Sequence, residues 1–221
     1  MDKKNIFKLC FYCALMMPLC GCSQKQANKM AKQPLPPKHQ MVKPLPSAYM
    51  VNNLKDATVA ASFSTKDFSW KDGKLSMEVF SEDLYDAAII RKLKAGDTLV
   101  YDGQPIAVKN VSFKDRFVTV NGGIEEGGAD LTANRGGTYR GSQLDDHSTY
   151  TKLGNVTLPL AKNFLLIDCG ENPTDPYDTI KVAQEEYLKK LKDYKQNFTP
   201  LDTKVLIKNG YIVSITRRWI P

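Results

Sequence analysis

Histidine and cysteine are scarce in this chain, and the few present stand apart from one another. Of 221 residues, two are histidines and five are cysteines. His39 sits in a Lys/Gln/Pro-rich stretch and His147 far downstream, so no two imidazoles are close in sequence. A metal site needs three or more converging ligands, and Asp145-Asp146-His147 offers only adjacent ones, whose side chains diverge on extended backbone; no metal and no cofactor is expected. Cys10, Cys13 and Cys20 belong to an apolar leader and Cys22 closes it, which leaves Cys169 as the one thiol of the body of the chain. An exported domain with one thiol has no internal disulfide, so its stability has to come from a buried core. Also missing are a Gly-x-Ser-x-Gly elbow, a Gly-rich phosphate loop ending in Lys and Ser or Thr, and a dinucleotide fingerprint. Nor does any apolar run reach the roughly 20 residues of a spanning helix.

Acidic residues are absent from one long region, and that absence accounts for the overall charge. The formal charge is +7 and the isoelectric point about 9.0. Eight lysines up to Lys43 are set against Asp2 alone; removing them from 31 basic and 24 acidic residues leaves 23 of each in residues 48–221. The expected domain is therefore neutral, and basicity makes no case for a nucleic-acid partner.

What is present begins at the front. Lys3, Lys4 and Lys8 precede an apolar run from Leu9 to Leu19, the layout of a signal peptide over residues 1–21. The Cys10 to Cys13 spacing, a redox or metal signal elsewhere, is small apolar filler inside such a leader. The run ends in Leu19-Cys20-Gly21-Cys22. This arrangement resembles the lipobox of bacterial lipoproteins, where a small residue precedes the cysteine that receives a diacylglycerol thioether. The resemblance implies cleavage between Gly21 and Cys22, acylation of Cys22 with chains such as palmitate, and export to the cell envelope with the lipid bilayer as partner. Ser23, not being aspartate, implies sorting to an outer membrane, in the periplasmic or the surface leaflet. At about 0.8 kcal/mol per buried methylene, two or three acyl chains hold far more firmly than one.

Residues 22–47 read as the lipidated cysteine and a Pro/Lys-rich tether. Pro34, Pro36, Pro37, Pro44 and Pro46 remove donors and favour an extended, solvated spacer. Its lysines lie on anionic headgroups or simply keep the spacer soluble.

Residues 48–221 are long enough for a single globular domain. Asp72-Gly73, Asp102-Gly103 and Asn209-Gly210 are flanked by strand formers and predict three hairpins: 68–70 with 75–80, 99–101 with 106–111, and 205–208 with 211–217. Thr58–Phe63 and Phe117–Val120 add strands, and the apolar run Asn163–Cys169 reads as a strand buried on both faces. Ser81-Glu82-Asp83 reads as the capped start of a short helix that stops near Gly96. Pro176 or Tyr177 to about Gln196 repeats its apolar residues every three or four positions, which predicts one long amphipathic helix. The expected fold is α+β, mainly antiparallel, a small barrel or sandwich of about eight strands, with that helix before the C-terminal hairpin. Strict alternation in this hairpin sets Tyr211, Val213, Ile215, Arg217 and Trp219 on one face; either Arg217 meets a carboxylate at the core rim or the face emerges there. This ending, taken with the leader, is similar to uncharacterised lipoproteins of anaerobic bacteria, a resemblance that implies no site residue.

Chemistry has two places to hide. Asn121–Gly141 holds three Gly-Gly pairs beside Arg135 and Arg140, and is either a ligand loop or a set of tight turns. Asp145-Asp146-His147 follows it. Together Arg135, Arg140, Asp145, Asp146 and His147 are the candidate ligand-binding residues, with no catalytic residue assigned. Cys169 with His147 is a conceivable thiol-imidazole pair, against an inert core thiol. The expected function is a membrane-anchored envelope lipoprotein acting as a non-catalytic binding or interaction module for an envelope protein or polymer. The alternative is an envelope hydrolase or transferase using the Gly-rich loop and Asp145, Asp146 and His147.

Overall fold

The computed structural model describes residues 38–168, 180–182, 197–218 and 220. The leader, Cys22, the tether up to Pro37, Cys169, Trp219 and most of the expected C-terminal helix lie outside them. In chain order the strands are β1 (Met41–Val42), β2 (Ala57–Ser64), β3 (Phe68–Ser69), β4 (Lys74–Glu82), β5 (Leu84–Asp86), β6 (Thr98–Tyr101), β7 (Gln104–Ala107) and β8 (Val111–Lys114). They continue with β9 (Phe117–Val120), β10 (Ala129–Asn134), β11 (Thr138–Ser142), β12 (Tyr150–Asp168), β13 (Ile180–Val182), β14 (Asn197–Phe198), β15 (Thr203–Lys208) and β16 (Tyr211–Arg217). The one α-helical segment among the described residues is α1 (Ala87–Ile90).

These strands form three sheets, of three, five and eight strands. That overturns the expectation of one barrel or sandwich of about eight strands with a long helix. The small sheet runs β1-β6-β7 and the middle one β5-β11-β10-β9-β8; the large one runs β13-β12-β16-β15-β2-β4-β3, with β14 on β2. One apolar cluster, including Val59, Leu75, Phe164, Ile207 and Ile215, fills the large sheet's inner side. A second, including Tyr85, Ile90, Leu99, Val118 and Leu131, belongs to the other two sheets.

The long helix fails on its described part. Ile180–Val182 is a strand antiparallel to Leu166–Asp168. The edge of β12 away from β16 needs a hydrogen-bonding partner, and two β-branched residues in three suit that role better than a helix. The short helix exists, but later and shorter than the Ser81 start implies. Asp86 caps it, its Oδ1 accepting from the N–H groups of Ala88 (2.7 Å) and Ile89 (3.2 Å), whereas Ser81 and Glu82 still belong to β4.

Two of the three turn signals act as expected. Asp102-Gly103 and Asn209-Gly210 have positive φ at both residues (49° and 71°, 51° and 78°), the type I′ requirement. At Asp72-Gly73 only the glycine has positive φ, because the loop runs from Trp70 to Gly73 between the paired Ser69 and Lys74. The expected strand 106–111 also divides: β7 ends at Ala107 in the small sheet and β8 starts at Val111 in the middle one.

β12 is far longer than the run Asn163–Cys169. It spans 19 residues, bordering β4 from Tyr150 to Pro159 and β16 from Leu160 onward. Pro159, which has no N–H to give a ladder, stands at the handover. Strict alternation breaks in β16, where Leu206 faces Ser214 but Ile207 faces Ile212, so Val213 is an extra residue. The bulge turns Ile212, Ile215 and Arg217 inward (0%, 0% and 4% exposed) and leaves Tyr211 outside (50%). The Arg217 guanidinium therefore lies over the Phe198 ring, 5.0 Å from its centroid.

Residues just after Lys38 pack on the domain although they read as tether. Met41–Val42 pairs in parallel with Thr98–Leu99, and Asp97, 1% exposed, accepts from the N–H groups of Gln40 (3.0 Å) and Lys94 (3.1 Å). Burial pulls the Asp97 carboxyl upward, but these N–H groups and the Lys94 charge outweigh it and hold it below its ordinary value.

The bulge has a direct test. Ile212→Ala should lower the unfolding free energy by about 2–5 kcal/mol, and Tyr211→Ala should stay within about 0.5 kcal/mol, both read from urea midpoints at constant slope. The reverse order would show that β16 keeps strict alternation.

Candidate functional site

The Gly-rich stretch is a set of turns. Asn121 to Gly123 and Gly127 carry positive φ around a single 3-10 turn, Ile124–Glu126, and Arg135-Gly136-Gly137 is the tip of the β10–β11 hairpin. At Gly128 a side chain would meet the Val120 carbonyl oxygen at 1.9 Å, so glycine there serves close packing and not a ligand.

The loop after β11 folds back over one face of the middle sheet. Phe117, Thr132 and Arg140 are in register across β9, β10 and β11, and Thr119, Asp130 and Ser142 form the next row. Asp146 reaches down onto this face. Its Oδ1 lies 2.7 Å from Arg140 Nη2 and 2.9 Å from Thr132 Oγ1, and its carbonyl accepts from Arg140 Nη1 at 2.8 Å. Thr132 has a single hydroxyl proton; donating it to Asp146, it accepts from Ser142 Oγ at 2.7 Å. Arg116 stands further off, 3.7 Å from Asp146 Oδ2. Asp145 and Asp146 both have φ of 60°, a conformation Asp tolerates better than most residues, and the clasp onto Arg140, Thr132 and Ser142 holds the loop there.

Only two of the five candidate residues come together. Arg140 and Asp146 form the clasp, Asp145 is exposed beside it, and Arg135 is exposed at the hairpin tip. His147 Nε2 is buried with no hydrogen-bond partner among the described residues, so the imidazole joins no relay with Asp145 or Asp146. The Cys169 partner considered for it lies outside the described residues. Among those residues no group of three His, Cys, Asp or Glu is placed to hold a metal ion.

Behind the clasp lies a carboxylate that the sequence pattern placed in a helix cap. Asp83 is 0% exposed; its two oxygens accept from Thr149 Oγ1 (2.9 Å) and Thr151 Oγ1 (2.7 Å), and its own N–H and C=O pair with Thr149 and Gly141. Burial pushes this carboxyl above its ordinary value, the two hydroxyls act against that, and the Asp102 charge adds to the rise. Burial likewise raises the phenols of Tyr85 and Tyr101; these donate to the carbonyls of Val100 and Ser142.

A cleft lies elsewhere, in the large sheet. β2 pairs with β4 only from Ala60 to Ser62; Phe63 and Ser64 pair instead with β14, and β4 regains a neighbour at Leu75, opposite Phe68 of β3. The excursion of residues 63–67 opposite Ser76 and Met77 opens a cleft of about 480 Å³. It is bordered by the side chains of Ser62, Ser64, Asp67, Ser76, Glu78, Asn155 and Thr157; Phe63 and Met77, between them in sequence, are core residues 5% and 3% exposed. The sequence carries these rim residues as ordinary alternating solvent-facing positions, Ser62-x-Ser64, Ser76-x-Glu78 and Asn155-x-Thr157, so only the split of the ladder distinguishes them.

A second cavity of about 350 Å³ lies beneath residues 45–49 and is bordered by Phe80, Glu82 and Lys204. Lys204 Nζ is 3.2 Å from Tyr150 Oη and 4.8 Å from the ring centroid. Burial lowers this ammonium, Glu82 opposes that shift, and Arg218 adds to it. Glu82 in turn accepts from Ser148 Oγ at 2.6 Å.

No family model matches the chain, and no curated protein or solved structure is similar to it.

Asp146→Ala should cost about 1–3 kcal/mol, mainly by leaving the proton of the buried Thr132 hydroxyl without its acceptor, while Asp145→Asn should be neutral within about 0.5 kcal/mol; chemical denaturation separates the two. For Asp83 the raised folded value means that the folded state holds the proton longer than the unfolded one. Stability should therefore fall as pH rises from the ordinary value of 3.8 through the raised one. In Asp83→Asn that decline should disappear, read as the difference in urea midpoint between acid and neutral pH.

Proposed function

We propose that this protein is a lipid-anchored component of the bacterial cell envelope whose folded domain binds an envelope constituent without transforming it. The observation that carries this reading is Leu19-Cys20-Gly21-Cys22 at the end of a lysine-led apolar run. Acyl chains on Cys22 would hold the protein on a bilayer, and Ser23 favours the outer membrane as its destination. The chain from Ser23 to Pro37 would set the domain's distance from the lipid, some tens of ångströms at most at roughly 3.1 Å per residue.

Two structural observations support binding in preference to turnover. Arg140 and Asp146, on which the hydrolase or transferase alternative depends, are bound to each other and to Thr132 and Ser142 beneath the loop. A cleft in a different sheet is lined mainly by Ser, Thr, Asn and carboxylate side chains, groups suited to recognition by hydrogen bonding.

Labelling with a radioactive or alkyne-bearing palmitate should mark the wild-type protein and send it to the membrane fraction. Cys22→Ser should be unlabelled and retain its leader. An unlabelled wild-type protein, or normal processing and membrane retention of Cys22→Ser, would remove the anchor and the reading built on it.

A further inference from the structure

We infer that one end of the middle sheet docks on a bilayer surface that carries anionic headgroups. This names the envelope constituent of the binding reading, and it rests on that reading for the lipid anchor that keeps a bilayer within reach. β5, β11, β10, β9 and β8 are antiparallel neighbours in that order. The β8–β9 turn (residues 114–117), the β10–β11 turn (134–138) and the junction of β5 with α1 therefore share one end of the sheet. They are contiguous there, since the N–H of Ala133 donates to the Arg116 carbonyl and that of Ala87 to the Gly137 carbonyl.

Two phenylalanines project from this end. Phe113 and Phe117 are 50% and 43% exposed. Phe113 is in register with Val118 and Phe117 with Lys114. Val118 points into the core and successive side chains alternate, so the two rings flank the hairpin on opposite faces. A protein partner laid against one face would leave the other ring in water; a bilayer interface closes around the tip and takes both. The turn's unpaired backbone groups restrict the tip to the boundary of headgroups and acyl chains, where they stay hydrated.

Charge points to the same partner. Lys114, Arg116 and Arg135 are exposed on these turns, and the Arg116 guanidinium lies over the Phe117 ring, 5.0 Å from its centroid. Among the described residues Lys114 and Arg135 form no ion pair, and Asp146, 3.7 Å from Arg116, is already held by Arg140 at 2.7 Å. The acids at this end are Asp115, set between Lys114 and Arg116, and Asp86, whose Oδ1 caps α1. At the opposite end of the sheet the β9–β10 connection exposes Glu125 and Glu126, with Lys109 beside it. A negative surface therefore attracts the end that carries the rings.

The test reconstitutes the full chain, produced in an acylating bacterium, into vesicles of phosphatidylcholine with brominated acyl chains, with or without phosphatidylglycerol. Flotation and tryptophan emission are read together, the native Trp70 and Trp219 giving the baseline. Phe113→Trp and Phe117→Trp should each add emission that the bromines quench when phosphatidylglycerol is present, and the quenching should be lost in phosphatidylcholine alone and at raised salt. Lys114→Glu combined with Arg135→Glu, in the Phe117→Trp protein, should abolish the quenching at unchanged flotation and melting temperature. Added emission that stays unquenched in floating protein, or quenching indifferent to lipid charge and to the charge reversal, overturns the docking and leaves the anchor standing. Flotation only with phosphatidylglycerol, with the added emission quenched, keeps the docking and removes the anchor. Flotation with neither vesicle overturns both.

Discussion

A single carboxylate without solvent exposure, Asp83, ties the two hydrophobic clusters together. It is the residue between β4, which belongs to the large sheet, and β5, which opens the middle one. Through its backbone it pairs with Thr149 and Gly141, and through its side chain it holds Thr149 and Thr151 at the entry to β12. A buried carboxylate is costly unless its lone pairs are filled, so wherever Asp83 goes these two hydroxyls must follow. Gly141 answers the same demand, since any side chain there would meet Thr149 Oγ1 at 2.0 Å.

From that junction β12 runs on to serve two neighbours in succession. Its first half completes β4 and its second half lies parallel to β16. With β12 on one edge of β4, the other edge is left to β2 and β3, and the chain between those two leaves the ladder for residues 63–67. The cleft is therefore a by-product of strand sharing: short polar side chains on the solvent-facing side of β2, β4 and β12 border the place where β2 parts from β4.

The clasp of Arg140 and Asp146 illustrates how a chemically suggestive string becomes structural. Acidic residues next to a histidine invite a catalytic reading, yet adjacent side chains diverge, and here the second acid turns onto the sheet while the imidazole Nε2 is buried without a partner among the described residues. An exposed ion pair adds little by itself. What makes this one matter is Thr132 and Ser142 beneath it, 2% and 4% exposed, whose hydroxyls have Asp146 as their outlet.

Local chemistry was legible from the chain alone. Asp102-Gly103 and Asn209-Gly210 turn as their composition requires, because left-handed backbone depends on the residues that adopt it. The β-rich character and the neutral charge of residues 48–221 likewise need nothing beyond residue identity. Pairing was not legible. Whether Ile180–Val182 continues a helix or completes the edge of β12, where Val213 bulges, and that β2 parts from β4 after Ser62 are settled by hydrogen bonds to strands distant in sequence. Periodicity records which face of a segment is apolar; it does not record which neighbour offers the unpaired backbone groups, and that is what the tertiary structure decided.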